Sequence, residues 1–169
     1  MKRIIGAFIL AVMIVSLLAG CGLNVPPPSI KDGRFNVSVT YEVDGVPTTV
    51  TGVFVCEYDG VWTSLDGHSY RCWEDHFEGE INSDVIEVLE TENGEKVVFS
   101  FLIYAEYFMG EPGYEDYNPM LIPSIVYYNE DGDELTDSCD EDRLLEEYGV
   151  RLICIEYDDP IVNTFGYFK

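Results

Sequence analysis

Residues 34–43 read RFNVSVTYEV, and this stretch decides the fold class because its apolar and polar side chains alternate without a break. One face holds the apolar residues Phe35, Val37, Val39, Tyr41 and Val43. A period of two is that of a β-strand with one buried face, which is typical of antiparallel sheets. The stretch therefore predicts a half-buried antiparallel strand at the start of the folded domain.

Outward from this strand, the chain continues with strand-like segments separated by turn signals. The turn signals are the Asx-Gly pairs Asp44–Gly45, Asp59–Gly60, Asp66–Gly67, Asn93–Gly94 and Asp131–Gly132. The further segments rich in β-branched and aromatic residues are 48–58, 70–77, 85–91, 96–108, 121–128 and 150–157. Short strands with tight turns predict a mainly β protein, an antiparallel β-sandwich of immunoglobulin-like or related type.

A short α-helix is predicted near the C-terminus. Ser138-Cys139-Asp140-Glu141 has the form of a capping box, in which a hydroxyl and a carboxylate satisfy free backbone N–H groups at the start of a helix. Gly149 provides the stop, since glycine readily takes the left-handed conformation that ends many helices. We expect this helix to cover one end or edge of the sheets.

The N-terminus has the composition of an export signal. Met1-Lys2-Arg3 is basic, and residues 4–20 (IIGAFILAVMIVSLLAG) carry no charge. A membrane-spanning helix is the alternative, since about 17 to 25 apolar residues can cross a bilayer. The segment lies at the lower edge of that range, and no basic stop-transfer cluster follows it.

Leu18-Ala19-Gly20-Cys21 resembles the lipobox of bacterial lipoproteins, in which a leucine and two small residues precede a cysteine. The resemblance implies that residues 1–20 are a signal peptide and that Cys21 is the site of lipidation. It also implies localisation at the extracytoplasmic face of the bacterial cytoplasmic membrane, with the membrane as a partner through the lipid anchor. A plain membrane anchor and a plain secretory signal are the alternatives.

The mature chain is expected to have two parts. Residues 21–33 hold the lipidated cysteine and three consecutive prolines, which favour an extended, semi-rigid tether that keeps the domain off the membrane. Residues 34–169 are long enough for one domain with its own core, so we expect a single β-rich extracytoplasmic domain there.

Three further segments resemble an uncharacterised group of lipoproteins of Gram-positive gut bacteria. They are VTYEVDGVPTTVTGVFVCEYDG (39–60), EYFMGEPGY (106–114) and LLEEYGVRLICIEYDDPI (144–161). This resemblance implies export and a shared β-rich domain, and it supplies no site residue.

The chain is strongly acidic, with 32 Asp and Glu residues against 9 Lys and Arg and a formal net charge of -23. Such a charge repels nucleic acid, so nucleic acid is excluded as a partner. Cations or basic proteins suit this surface, and an acidic face that only keeps the protein soluble explains the same composition.

The four cysteines outside the lipobox predict two disulfides, because exported proteins commonly pair an even number of cysteines. They are Cys56, Cys72, Cys139 and Cys154. Three connectivities are possible, and bonds between sequence neighbours are favoured. These bonds would join Cys56 to Cys72 and Cys139 to Cys154. The bond between Cys56 and Cys72 requires residues 59–69 to form one wide loop, since two tight turns would hold these cysteines too far apart. Reduced, buried cysteines are the alternative.

Calcium is the one cofactor that the sequence suggests. The side-chain oxygens of Asn129, Asp131, Asp133, Asp137 and Asp140 match positions 1, 3, 5, 9 and 12 of an EF-hand loop. The match departs from the pattern at Glu134, where a glycine makes the turn, and at Asp140, which is shorter than the usual glutamate. An Asp-Gly hairpin followed by a capped helix explains the same residues without a metal ion.

Residues 105–119 (AEYFMGEPGYEDYNP) are the candidate binding loop. They combine glycines, prolines and acids with the aromatic residues Tyr107, Phe108, Tyr114 and Tyr117. Loops on a rigid β scaffold are common binding sites, and tyrosines can stack on a sugar ring or dock a peptide. The alternative is that these rings pack down and cap the end of the sandwich.

Two functions are consistent with these features. The first is a binding module for a protein or glycan at the cell surface. The second is an extracytoplasmic carbohydrate-active enzyme that uses paired carboxylates. The chain has no nucleophile elbow, zinc-protease motif or phosphate-binding glycine loop, and no catalytic residue is assigned.

Overall fold

The structure is a computed structural model, and it describes residues 25–166. Within that range the chain is mainly β. The strands are β1 (Asp32–Val43), β2 (Val46–Thr63), β3 (Ser69–Gly79), β4 (Val85–Glu90), β5 (Lys96–Leu102), β6 (Met120–Tyr128), β7 (Glu134–Ser138) and β8 (Val150–Tyr157). The helices are α1 (Ala105–Phe108) and α2 (Glu141–Tyr148).

The strands form two four-stranded antiparallel sheets that pack as a β-sandwich. The first sheet has the order β3-β2-β1-β8, and the second has the order β4-β5-β6-β7. Consecutive strands are neighbours within each sheet, and β5 and β6 are joined by residues 103–119, which contain α1. β8 returns after the second sheet to lie beside β1, as in a Greek key. The predicted mainly β sandwich is confirmed, and its strand order differs from that of immunoglobulin domains.

The core lies between the inner faces of the two sheets. The alternation in β1 buries Phe35, Val37, Val39 and Tyr41. The second sheet buries Val97, Phe99, Leu121 and Ile125. Aromatic contacts join the sheets, with ring centroids 6.0 Å apart for Tyr41 and Phe99. Because each fully buried large apolar side chain contributes about 1.5–3 kcal/mol, this core is the main source of stability.

Four of the five Asx-Gly pairs form hairpin turns, and the fifth does not. Asp59–Gly60 lies inside β2, where the pairing with β3 shifts between Tyr58 and Gly60. Gly60 takes a φ of 110°, which only glycine adopts without strain, so the pair forms a β-bulge instead of a turn. As a result β2 continues to Thr63, and the β2–β3 hairpin projects beyond the rest of its sheet.

The predicted helix is present as α2 and begins later than expected. Ser138 belongs to β7, and the Oδ1 atom of Asp140 caps the helix by accepting a hydrogen bond of 2.8 Å from the Arg143 backbone N–H. Gly149 ends the helix in the left-handed conformation, as predicted. The short helix α1, which precedes α2 in the chain, was not predicted.

The proline-rich segment before β1 packs against the domain. Pro28 is buried and forms a β-bridge with Phe165, and the backbone N–H of Ser29 donates to the Thr164 carbonyl at 2.9 Å. The ordered contacts therefore start before the expected boundary at residue 34, and most of the expected tether is part of the domain. The signal peptide (1–20) and Cys21 lie outside the described residues. Within residues 25–166 no helix is long and apolar enough to cross a membrane.

Candidate functional site

Four segments of the chain meet at one end of the sandwich, which we call the loop end. The loop end consists of residues 25–31, 58–73, 103–119 and 158–166. Arg71 connects these segments, because it contacts Pro26, Glu111 and Phe165. The opposite end carries the β1–β2 turn and the end of α2, where the Asp44 backbone N–H donates to the Gly149 carbonyl.

The predicted binding aromatics divide into one core residue and three loop residues. Phe108 is fully buried, with its ring centroid 4.7 Å from that of Phe35, so the expectation that it contacts a ligand is wrong. Tyr107, Tyr114 and Tyr117 are partly buried. The helix α1 causes this division, because it turns Phe108 inward while Tyr107 stays near the surface.

The loop tyrosines pack against one another and against a residue that the sequence interpretation missed. Tyr104 is exposed, and its ring centroid lies 4.7 Å from Tyr117 and 6.2 Å from Tyr114. The Tyr117 hydroxyl donates to the Leu102 carbonyl at 2.7 Å, and burial raises the pKa of Tyr117 to about 12. The tyrosine cluster, Tyr104, Tyr107, Tyr114 and Tyr117, thus combines packed rings with exposed edges.

A cavity of about 270 Å³ lies between the tyrosine cluster and the C-terminal segment. Its lining residues are Tyr107, Gly110, Glu111, Tyr114, Glu115, Pro160, Ile161 and Val162. Gly110 allows the C-terminal segment to approach, since a Cβ atom there would meet the Ile161 carbonyl oxygen at 2.5 Å. The volume lies near the lower limit of ligand pockets, so the cavity suits one side chain or one ring.

A buried ion pair between Arg71 and Glu111 lies beside this cavity. Arg71 Nη1 contacts Glu111 Oε1, and the two side chains are only 9% and 14% exposed. Arg71 Nε also donates to the Pro26 carbonyl at 2.8 Å, and its guanidinium lies 4.1 Å from the Phe165 ring centroid. Within residues 25–166, Glu111 Oε2 has no hydrogen-bond partner. This oxygen is itself buried, so the Glu111 carboxylate keeps one unused acceptor next to the cavity.

The junction of β3 and α1 brings two carboxylates close to a thiol. Asp75 is exposed on β3, and desolvation by its neighbours raises its pKa, which the negative charge of Glu106 raises further. Burial, together with the charges of Asp75 and Glu106, also raises the pKa of the Cys56 thiol. A carboxyl group that keeps its proton to higher pH is a candidate general acid.

Asp75→Asn is expected to make the domain more stable at neutral pH. Folding raises the pKa of Asp75, so the folded state binds more protons between the unfolded and folded pKa values, and stability falls as pH rises through that window. The variant should lack this fall, as measured by urea unfolding over a pH series. Asp131→Asn, which removes a charge from the exposed β6–β7 turn, is the matched control and should keep it. Equal pH profiles for wild type and Asp75→Asn would contradict the prediction.

The five predicted calcium ligands serve local structure in separate places. Asn129 Oδ1 accepts from the backbone N–H groups of Asp131 and Asp133 at 3.0 and 2.8 Å, which closes the β6–β7 turn. Asp137 pairs with Arg143, and Asp140 caps α2. Among residues 25–166 no three metal-ligating side chains come together, and calcium binding stays a prediction.

The four cysteines of the domain are free thiols, so the prediction of two disulfides is wrong. Residues 59–69 are not a wide loop, because β2 pairs with β3 as far as Thr63 and Ser69 and leaves only residues 64–68 as a tight turn. Cys56 lies opposite Asp75 and Cys72 lies opposite Gly60, four positions apart along β2, or roughly 13 Å. A disulfide requires Cα atoms within about 7 Å.

The second pair is separated by the first sheet. Cys139 is buried in the core cluster at the start of α2. Cys154 lies on β8 opposite Thr40, whose hydroxyl bonds Thr49 on the outer, exposed face. The two thiols are thus on opposite faces of this sheet.

Thiol labelling without reductant should find all four domain cysteines reactive once the protein is denatured. In the native protein, Cys72 and Cys154 are partly exposed and should react first, whereas Cys56 and Cys139 are buried and should react slowly. Mass spectrometry after timed alkylation of the chain from residue 22 would resolve the order. Fewer than four labelled thiols in the denatured, unreduced chain would indicate a disulfide and contradict this result.

A concavity of about 700 Å³ lies on the outer face of the first sheet. Its carboxylates are bonded to the sheet itself. Asp158 accepts from the backbone and side-chain N–H groups of Asn36 at 2.8 Å, and Glu80 accepts from the backbone N–H and hydroxyl of Thr51 at 3.0 and 3.1 Å. These contacts fix the edges of the sheet, which is a structural role.

Comparison with protein families, curated proteins and solved structures finds no match for the chain.

Proposed function

We propose that this protein is an extracytoplasmic lipoprotein of the bacterial cytoplasmic membrane, tethered through Cys21, and that its sandwich is a binding module for a basic segment of a protein partner. The lipobox-like residues Leu18–Cys21 support the tether. The observation that carries the binding role is the cavity at the loop end, which is rimmed by Tyr107 and Tyr114 and has the carboxylates of Glu111 and Glu115 beside it.

The charge of the domain supports a basic partner. Residues 25–166 contain all 32 acidic residues and only six of the nine basic ones. Five of these six are already in ion pairs, namely Arg34, Arg71, Lys96, Arg143 and Arg151. Most carboxylates are therefore uncompensated, and their field steers basic molecules toward the domain.

The chemistry of the cavity suits a lysine or arginine side chain. A cation within about 6 Å of an aromatic ring centroid is attracted by the negative face of the ring. The protein uses this contact internally, since Arg71 lies over Phe165 and Lys31 lies 5.9 Å from the Tyr58 centroid. A ligand cation in the cavity would meet the rings of Tyr107 and Tyr114 together with the exposed carboxylate of Glu115.

The test is binding of the chain from residue 21, with Cys21→Ser, to a peptide array that varies in charge. Basic peptides should bind, and Tyr107→Ala and Tyr114→Ala should each weaken binding roughly tenfold or more, as expected for aromatic anchors. Tyr128→Ala is the control, because Tyr128 is an exposed tyrosine at the far end of β6. Unchanged affinity in both loop variants would overturn the proposal. A glycan that binds and loses affinity in the same variants would replace the peptide as the ligand class.

The second candidate function is a carbohydrate-active enzyme, and the proximity of Asp75 and Glu106 favours it. Glycoside hydrolysis uses one protonated and one ionised carboxyl group, and the raised pKa of Asp75 suits the acid. Release of reducing sugar from cell-wall and plant glycans, lost in Asp75→Asn and Glu106→Gln, would support this function. No release from any glycan would leave the binding module as the better account.

A further inference from the structure

The β2–β3 hairpin ends in large apolar side chains that the described part of the chain leaves uncovered. Trp62 and Tyr70 are 58% and 53% exposed, and Leu65 at the turn is fully exposed. Trp62 and Tyr70 lie opposite each other in the strand pairing, with ring centroids 6.1 Å apart and an angle of 25° between the rings. Isolated exposed apolar residues are common, but a contiguous group of them marks a contact surface.

The hairpin presents this surface on a regular paired ribbon. Strand pairing continues to Thr63 and Ser69, whose hydroxyls lie 2.9 Å apart. The turn is closed by the Ser64 backbone N–H, which donates to the His68 carbonyl at 2.8 Å. We call the side chains of Trp62, Leu65 and Tyr70 the hairpin tip.

The N-terminal segment enters the domain beside this hairpin. The Pro26 carbonyl accepts from Arg71, which neighbours Tyr70 and lies opposite Val61. Pro26 is five positions after Cys21, and an extended chain of that length spans at most roughly 17 Å. Leu65 lies in the turn, two residues beyond the end of β2 at Thr63 and four beyond Val61, so it is at most on the order of 13 Å from Val61. The chain from Cys21 to Pro26, which contacts Arg71, is therefore about as long as the part of the hairpin from Val61, opposite Arg71, to Leu65.

The geometry points to the hairpin tip as a second membrane contact, in the headgroup region of the bilayer that holds the lipid on Cys21. This inference rests on the proposed lipid anchor. Trp and Tyr favour that region because each has an apolar ring and a polar N–H or O–H group. The short link brings the tip to the bilayer. Residues 61–70 carry a single carboxylate, Asp66, so the hairpin presents less negative charge to anionic head groups than the rest of the acidic domain does.

The test is tryptophan quenching in the full lipidated chain, reconstituted into phosphatidylcholine vesicles with brominated acyl chains. The chain has two tryptophans, so Trp62→Phe leaves the signal of Trp73 alone. Since bromine quenches only rings at bilayer depth, we expect roughly a twofold loss of Trp62 emission relative to unbrominated vesicles. The remaining emission of Trp62→Phe should be nearly insensitive to bromine.

A matched control places a tryptophan at the far end of the second sheet. Tyr128 is 57% exposed, close to the value for Trp62, so Tyr128→Trp in the Trp62→Phe background should give emission that bromine does not change. Vesicle flotation separates the two proposals. A chain that floats while Trp62 stays unquenched would overturn the hairpin contact alone, and a chain that does not float would overturn the lipid anchor and the hairpin contact together. An unquenched Trp62 in a floating chain that cross-links to a second copy through the hairpin would assign the tip to self-association instead.

Discussion

Arg71→Met is expected to lower the free energy of unfolding by roughly 3–5 kcal/mol, because it leaves the Glu111 carboxylate buried without its cationic partner. The substitution also removes the hydrogen bond to Pro26 and the contact with Phe165, which hold the two terminal segments against the domain. Urea unfolding of the chain from residue 21, with Cys21→Ser, measures the change.

The control for this prediction is Arg34→Met. Arg34 pairs with Glu78, but these side chains are 57% and 47% exposed, so the loss should be within about 1 kcal/mol. Replacing both buried partners, in Arg71→Met with Glu111→Leu, should recover much of the stability because no unpaired charge then remains. A loss for Arg71→Met no larger than that for Arg34→Met would show that the buried pair does not hold the loop end together.

Phe108→Ala is expected to cost roughly 3–5 kcal/mol, the usual range for removing a buried phenylalanine ring. The ring is fully buried and contacts Phe35, Phe54 and Tyr157, with centroid distances of 4.7, 5.5 and 5.7 Å. Its removal leaves a cavity between α1 and the first sheet, which the surrounding rings can fill only in part. Thermal and urea unfolding measure the loss.

Tyr114→Ala separates the core role from the binding role. Tyr114 is only partly buried, so its removal should lower the free energy of unfolding by less than about 2 kcal/mol while weakening ligand binding.

If Phe108→Ala were as stable as wild type, the position of α1 over the core would be wrong.

The fold class followed from sequence wherever burial is local and periodic. β1 was predicted because every second side chain faces the core. β7 was missed because all five of its residues are exposed and it pairs with β6 through its backbone. α1 was missed because residues 96–108 are mostly apolar or aromatic, and such a run does not distinguish a strand from a buried helix.

Contacts between distant segments explain the other differences. Asp59–Gly60 has the same local preference as the other Asx-Gly pairs, and only the continued pairing of β2 with β3 makes it a bulge. That continuation also separates Cys56 from Cys72 and creates the exposed hairpin tip. Arg71 and Glu111 are 40 residues apart, so no spacing rule could pair them.

The candidate site was predicted in part. Composition identified the tyrosine-rich loop, because several rings among glycines and acids are unusual for a turn. The cavity depends on the approach of the C-terminal segment to Gly110, and the pair of Asp75 with Glu106 depends on where α1 lies against β3. Both are tertiary arrangements with no signal in the local sequence.

The edge strand β7 has a consequence for the proposed lipid anchor, which would place many copies of the protein on one membrane. Anchoring confines molecules to two dimensions and raises their local concentration, which increases the risk that unpaired strand edges join into larger sheets. β7 is such an edge, and it presents Glu134, next to Asp131 and Asp133 in the adjoining turn. Two copies meeting along this edge would bring like charges together, which is unfavourable. The acidic edge should therefore keep neighbouring molecules separate even where they are densely crowded.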